Sequence, residues 1–189
     1  GQYADTQTFL VGAEATPLLL HYLVLQRRWP KFLQTNGFRY SADGRRSYDL
    51  TKQDHKTFEV LATWIYTGRI PASPNAEADI ASQRLVKGVR LSSENPWHDK
   101  ENIYPNWRDE DLVDLWLLAC ELDIPELADA AISSLFEQNV WFQHTTSLEA
   151  VNKAFANVQN VTKPTLLQKY LIDEAVYYLG DKHVPRKTD

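Results

Sequence analysis

The 189 residues carry 20 Lys and Arg against 25 Asp and Glu, a net charge of -5, which argues against broad electrostatic attachment to nucleic acid or anionic lipid. With 43% hydrophobic and 24% charged residues, the composition is that of an ordinary globular chain, so wholesale disorder is excluded. No apolar run approaches the length of a membrane-crossing helix. The lone cysteine, Cys120, cannot close an intrachain disulfide, and an intracellular setting, nuclear or cytoplasmic, is expected. It falls in an apolar helical run and reads as a small core residue. Residues 1 to 5 show no basic-then-apolar leader, and the chain contains no Met, so it is expected to be a piece of a longer protein.

Phe9-Leu10-Val11-Gly12 is short, apolar and closed by Gly, as in a buried strand, and Leu18-Leu19-Leu20 between Pro17 and His21 is a second strand. Leu25, Arg28 or Trp29, and Phe32 fall at helical spacing but Pro30 interrupts them, which predicts two short helices meeting near Trp29. Asn36-Gly37 and Asp43-Gly44 are turn dipeptides, and Tyr48-Asp49-Leu50 is the third strand. Phe58, Leu61, Ala62 and Ile65 then mark a helix capped by Asp54 and stopped at Gly68.

Residues 71–110 change character, with four of the nine prolines and few apolar positions, and read as an exposed insertion. Its run Arg84-Leu85-Val86-Lys87-Gly88-Val89-Arg90-Leu91 alternates roughly, as a strand or a partner contact would. Leu112, Leu115, Trp116, Ala119 and Leu122 form the next helical stripe, and Pro125 opens a helix burying Leu127, Ala128, Ala131 and Leu135. Thr146-Ser147-Leu148-Glu149 reads as a capping box ahead of a helix with Leu148, Val151, Phe155 and Val158 on one face. Pro164 opens the last helix, through Leu167, Leu171, Ala175 and Tyr178 to Gly180. The fold class is α+β: a small three-stranded sheet, a cluster of helices and a C-terminal helical extension. The expected division is 1–135 for the core with its insertion, 136–180 for the extension and 181–189 for a tail.

No constellation of catalytic or cofactor-binding residues stands out. The five His residues are far apart and lack a Cys partner at zinc spacing. The seven glycines never cluster into a phosphate cradle, and no G-x-S-x-G elbow occurs. Acidic pairs such as Glu110-Asp111 and Asp173-Glu174 read as solvated or capping groups. Scattered basic residues lack the aromatic interleaving of a stacking platform, so nucleic acid is not the expected partner. The expectation is therefore no enzyme, no cofactor and no metal.

From His21 onward the chain resembles the BTB/POZ domain in the divergent form common among fungal proteins. Asp5, Phe9-Leu10-Val11-Gly12, His21, Leu25 and Phe32 fall at the family's spacing, and the helix ending in W-x-Y-T-G is matched by Phe58 through Trp64-Ile65-Tyr66-Thr67-Gly68. The later helix pair is matched from Leu115 through Ala119, Leu122, Ile124, Pro125 and Leu127. The stretch from Ala156-Asn157-Val158 to Thr165-Leu166-Leu167 is similar to the helical tail of fungal members. The resemblance covers most of 5–70 and 111–179. It implies a BTB/POZ-like fold and a non-catalytic role in binding proteins, with self-association or adaptor service to a cullin-type ubiquitin ligase as further readings. Three departures bear on these. Trp29 replaces a small residue before Pro30, Tyr22 replaces a basic residue that faces the family's Asp, and Phe38-Arg39-Tyr40 lacks the Glu of cullin-binding members.

Protein partners are thus the expected ligands, with no membrane among them. The anchors would be aromatic residues outside the core stripes: Trp97, Tyr104 and Trp107 in the insertion, Trp141 and Phe142 near the C-terminal helices, and Phe38 and Tyr40 in the turn region.

Overall fold

The computed structural model describes residues 5–35, 37–40, 46–71, 107–142, 145–156 and 165–181. Strand β1 (Thr6–Val11) pairs antiparallel with β2 (Thr16–His21), Thr6 opposite His21 and Val11 opposite Thr16. The turn between them is closed by the Ala15 amide donating to the Gly12 carbonyl at 2.9 Å. On its other side β1 pairs parallel with β4 (Arg46–Leu50), and β3 (Arg39–Tyr40) pairs antiparallel with β4. The sheet order is β2-β1-β4-β3, four strands rather than the three expected. The extra strand is two residues long and exposed on both faces, so it leaves no alternation in the sequence.

Along β1 burial alternates, with Gln7, Phe9 and Val11 turned inward. Phe9 is the hub of an aromatic cluster. Its ring lies 5.0 Å from Tyr48, 5.6 Å from Phe58 and 5.7 Å from Phe32. Helix α1 (Tyr22–Arg28) stops at Trp29, and α2 (Pro30–Thr35) begins at the next residue. Pro30 disfavours helical geometry in the residue before it, and Trp29 sits at φ -141. The break aims Trp29 inward: it is 2% exposed, and its ring centroid lies 3.9 Å from that of Phe32. Its indole Nε1 donates to the Leu122 carbonyl at 3.1 Å, joining the two halves of the chain.

Helix α3 (His55–Thr67) has the expected ends. The Asp54 carboxylate accepts from the Thr57 amide at 2.8 Å, and Gly68, at φ 72, donates its amide to the Trp64 carbonyl at 2.7 Å. Two helices follow the segment outside the described residues: α4 (Asp109–Glu121) and α5 (Pro125–Phe142), joined by only three residues. Helix α6 (Leu148–Ala156) packs on α4, and α7 (Leu166–Asp181) on α6. One buried cluster runs from Phe9 and Leu20 through Leu61 and Leu115 to Ala154 and Leu171, so the sheet and all the later helices share a core.

Several sequence expectations need correction here. Helix α6 buries Ala150 and Ala154, while Leu148 and Phe155 are 74% and 43% exposed. Small residues let α6 approach α4 closely, and that close approach prevails over a stripe of larger residues. Its cap is Ser147, whose hydroxyl accepts from the Ala150 amide at 3.2 Å, rather than Thr146. Thr146 is buried instead, its hydroxyl accepting from Asn139 Nδ2 at 2.8 Å. The last helix is opened by a reciprocal pair: Gln168 Oε1 accepts from the Thr165 amide at 2.9 Å, and Thr165 Oγ1 from the Gln168 amide at 3.3 Å. Pro164 and Val158 lie outside the described residues, and α7 continues past Gly180 to Asp181. The insertion also ends sooner than its composition suggests, since α4 is helical from Asp109.

Candidate functional site

Two surface features hold the side chains of most interest. The first is a ridge on the β3 edge of the sheet. Phe38 and Tyr40 are 38% and 67% exposed, and their rings meet edge to face at 5.3 Å. The guanidinium of Arg46 lies 4.5 Å above the Phe38 ring, and Phe38 backs onto the buried Tyr48 ring at 6.3 Å. Register explains the assembly: Tyr40 pairs with Arg46 and Arg39 with Ser47, whose hydroxyl donates to the Arg39 carbonyl at 3.2 Å. Cross-strand pairing therefore sets Arg46 beside Phe38 and Tyr40, while Arg39, opposite Ser47, lies on the other face of the strand. Burial pushes the Tyr48 phenol up, against the opposing charge of Arg46.

The second feature is an open groove of about 320 Å³ where the α4–α5 connection meets the start of α7. Its floor is Trp116, Ala119, Ile124, Pro125 and Ala128, with the 64% exposed Leu166 on one wall. Asp123 and Asp129 stand on its rim. The geometry follows from the short connection: Asp123 takes a positive φ of 56, and Ile124 turns its amide back to the Ala119 carbonyl at 2.8 Å. Asp123 is ion-paired with Lys31 of α2. Cys120 also lines the groove and is exposed, a correction to its reading as a core residue. Helical periodicity puts it one residue past the buried Ala119, on the outer side of α4. Adjacent apolar atoms still push its thiol up, which keeps it protonated and a poor nucleophile at neutral pH.

Trp107, expected as an exposed anchor, is instead a core residue at 5% exposure. Its Nε1 donates to the Pro71 carbonyl at 2.7 Å, tying together the two ends of the segment 72–106. Gln138 holds it from α5: Oε1 accepts from the Trp107 amide at 3.0 Å, and Nε2 donates to the Trp107 carbonyl at 2.6 Å. Asp109, buried at 6%, accepts from Gln138 Nε2 and from the Ser147 amide at 3.1 and 2.7 Å. Beside it Asp111 pairs with Lys56 and Arg108 at 3.1 and 2.9 Å. Burial works to raise the Asp111 carboxyl, but the hydrogen bonds from Arg108 and Lys56 prevail and hold it below the usual carboxylate range. These polar groups join helices to one another and are structural.

Trp97 and Tyr104 lie outside the described residues, as do the side chains of Trp141 and Phe142, whose backbone closes α5. Phe38 and Tyr40 are thus the predicted anchors that the described surface presents. The groove was missed because its floor residues carry the signature of core helix, and its rim carboxylates that of solvated faces. Among the described residues no group of three or more His, Cys, Asp or Glu side chains is placed to hold a metal ion, and no helix is long and apolar enough to cross a membrane. No family model and no curated protein matches the chain.

Proposed function

We propose that this chain is a non-catalytic protein-interaction domain of BTB/POZ-like architecture. The observation that carries the reading is the ridge, where exposed Phe38 and Tyr40 are held in fixed geometry by Arg46 and the sheet. Aromatic and Arg side chains are the usual energetic anchors of protein interfaces, and rigid ones lose little entropy on binding. The small sheet followed by helices supports the family resemblance. So does the W-x-Y-T-G helix end, where the Tyr66 hydroxyl bonds His21 Nδ1 at 2.8 Å and Gly68 adopts the left-handed cap.

The test is affinity capture from cell extract with the wild-type domain and with a Phe38→Ser/Tyr40→Ser double variant. Its fold is first confirmed by circular dichroism and thermal unfolding. The expected result is a set of proteins retained by the wild type and lost by the variant. Identical retention by both would overturn the reading. The alternative, an adaptor for a cullin-type ligase, draws on the same exposed segment, with Tyr40 where the resemblance calls for Glu. Calorimetry against a cullin N-terminal region decides it, and absence of binding at tens of micromolar removes it.

A further inference from the structure

We propose that the free edge of β3 docks an acidic, extended segment of a partner protein, which joins the sheet as a further strand. Two neighbouring carboxylates of that segment meet Arg39 on one face of the sheet and Arg46 on the other. This rests on the reading of the chain as an interaction domain and gives the chemistry and conformation of its partner.

The backbone is the first support. β3 ends the sheet order β2-β1-β4-β3, and among the described residues no strand pairs with its outer side. The Ser47 hydroxyl reaches the Arg39 carbonyl at 3.2 Å, so that carbonyl faces β4. Bonding direction alternates along an antiparallel pair, which turns the Tyr40 amide and carbonyl away from β4, to the open side. A donor and an acceptor side by side on an exposed edge are a template for another strand. The opposite edge of the sheet is blunted. On β2, Pro17 has no amide hydrogen, and the His21 amide already donates to the Tyr66 hydroxyl at 3.0 Å.

Charge is the second support. Arg46 shares a face with Tyr40 and Phe38, and its guanidinium lies 4.5 Å above the Phe38 ring. Arg39, opposite Ser47, projects from the other face. Neither arginine forms an ion pair among the described residues. Asp49, on the Arg39 face of β4, feels that charge but is engaged by the Thr51 amide and hydroxyl at 3.2 and 2.8 Å. Successive residues of an added strand point to opposite faces, so two neighbouring acidic residues present one carboxylate to each guanidinium. The next residue on the ridge side meets the exposed Phe38 and Tyr40 rings, which suit an aromatic side chain. The chain as a whole carries a net charge of -5, so the attraction is local to this corner and weakens with salt.

The experiment is fluorescence polarisation of labelled synthetic peptides titrated with the purified protein. The probe is Thr-Val-Glu-Glu-Phe-Val-Thr. Its controls are the same peptide with both Glu replaced by Gln, and two versions N-methylated at alternate amides, one along each edge of the peptide. The Glu peptide is expected to bind at tens to hundreds of micromolar, and the Gln peptide about fivefold or more weaker. The version methylated on its pairing edge should lose binding, and the other should keep it. Arg39→Glu and Arg46→Glu should each weaken the Glu peptide, with Lys in place of one Glu restoring the first variant and Lys in place of the other restoring the second. No binding of the Glu peptide, equal binding of the Gln peptide, equal binding of the two methylated versions, or restoration of both variants by the same exchange would each overturn the proposal. So would tighter binding of a labelled single-stranded oligothymidylate, which would make the ridge a nucleic-acid platform. The peptide comparisons use the wild-type protein alone and decide the matter where a variant fails to fold. Failure here leaves the interaction-domain reading standing, since that falls only with the capture experiment.

Discussion

Gln138→Leu tests whether the polar contacts behind the ends of the 72–106 segment bear the load that the geometry assigns them. Gln138 is 4% exposed and serves Trp107 with both ends of its amide, accepting from the backbone N–H at 3.0 Å and donating to the carbonyl at 2.6 Å. Leucine fills nearly the same space, so the cavity contribution is small and the cost is chiefly that of unpaired groups. Each buried polar group left without a partner costs about 1–3 kcal/mol. Two backbone groups of Trp107 lose their partner, and Asp109 loses one of its donors while keeping the Ser147 amide. These losses are coupled and do not add fully, so the expected destabilisation is about 3 kcal/mol. For a chain of this length that lowers Tm by about 6–12 °C. Urea unfolding followed by tryptophan fluorescence gives the free energy directly. Gln138→Glu supplies the second arm: it keeps the acceptor for the Trp107 amide but sets a carboxylate against the Trp107 carbonyl and Asp109. It should be at least as unstable at neutral pH and move back toward wild type in acid, where its protonated form again donates. A loss below about 1 kcal/mol for Gln138→Leu would show that the Trp107 backbone finds other partners, and the assignment would fail.

Ser147→Ala should cost about 1 kcal/mol, whereas Glu149→Ala should stay within about 0.5, because the cap is the Ala150 amide donating to the Ser147 hydroxyl. Equal losses in chemical denaturation would restore Thr146 as the cap. Gly68→Ala should cost about 1 kcal/mol in the same assay, since φ 72 strains any Cβ; the Arg28 Nη2 lying 2.8 Å from that Cβ is the mobile end of a side chain and can shift. Tyr170 is pushed from 10.0 to about 12, mainly by burial, so ultraviolet titration should find one phenol ionising near that value and Tyr170→Phe should abolish it. Its folded pKa is raised, so its contribution is complete below pH 10.0 and is lost as pH climbs through about 12. Asp111 has the opposite sign. Its contribution is present above the ordinary carboxylate pKa and is lost as pH falls through the depressed one, so Asp111→Asn should flatten the acid limb of the stability curve.

Local patterning exposes the elements whose periodicity and ends agree. Helix α3 is the clearest: its apolar stripe, Asp54 cap and Gly68 stop all point to the same boundaries, and the structure has them. The break at Trp29-Pro30 is equally legible because proline acts on its immediate neighbour. What escapes is everything set by a partner distant in sequence. Ala150 and Ala154 face the core only because α4 lies against them, and an isolated stripe of Leu148, Val151 and Phe155 gives no warning of it. Trp107 looks like an exposed aromatic beside charges until Gln138, 31 residues away, receives its backbone. The ridge was half visible, as two aromatics in a turn region. The groove was not, since Trp116, Ile124 and Leu166 belong to two helices and a connection until the α4–α5 turn bends them around one space.

The two patches are also joined mechanically. Trp29 Nε1 donates to the Leu122 carbonyl across 93 residues of sequence, and Lys31, two residues on from Trp29, pairs with Asp123, the residue after Leu122, at the same corner. These contacts fasten α2 to the α4–α5 connection, while Phe9, Phe32 and Tyr48 fasten α2 to the sheet that carries the ridge. Ridge and groove are therefore parts of one rigid frame, and their spacing is set before any second molecule arrives. Preorganisation of this kind lowers the ordering cost of binding a partner. Trp29→Phe keeps an aromatic ring but removes the indole donor, leaving every side chain of both patches in place. If that cross-link holds the frame, the change lowers stability in urea unfolding by about 1–3 kcal/mol, because the Leu122 carbonyl loses its donor. Undiminished stability would mean that the frame holds without the Trp29 cross-link.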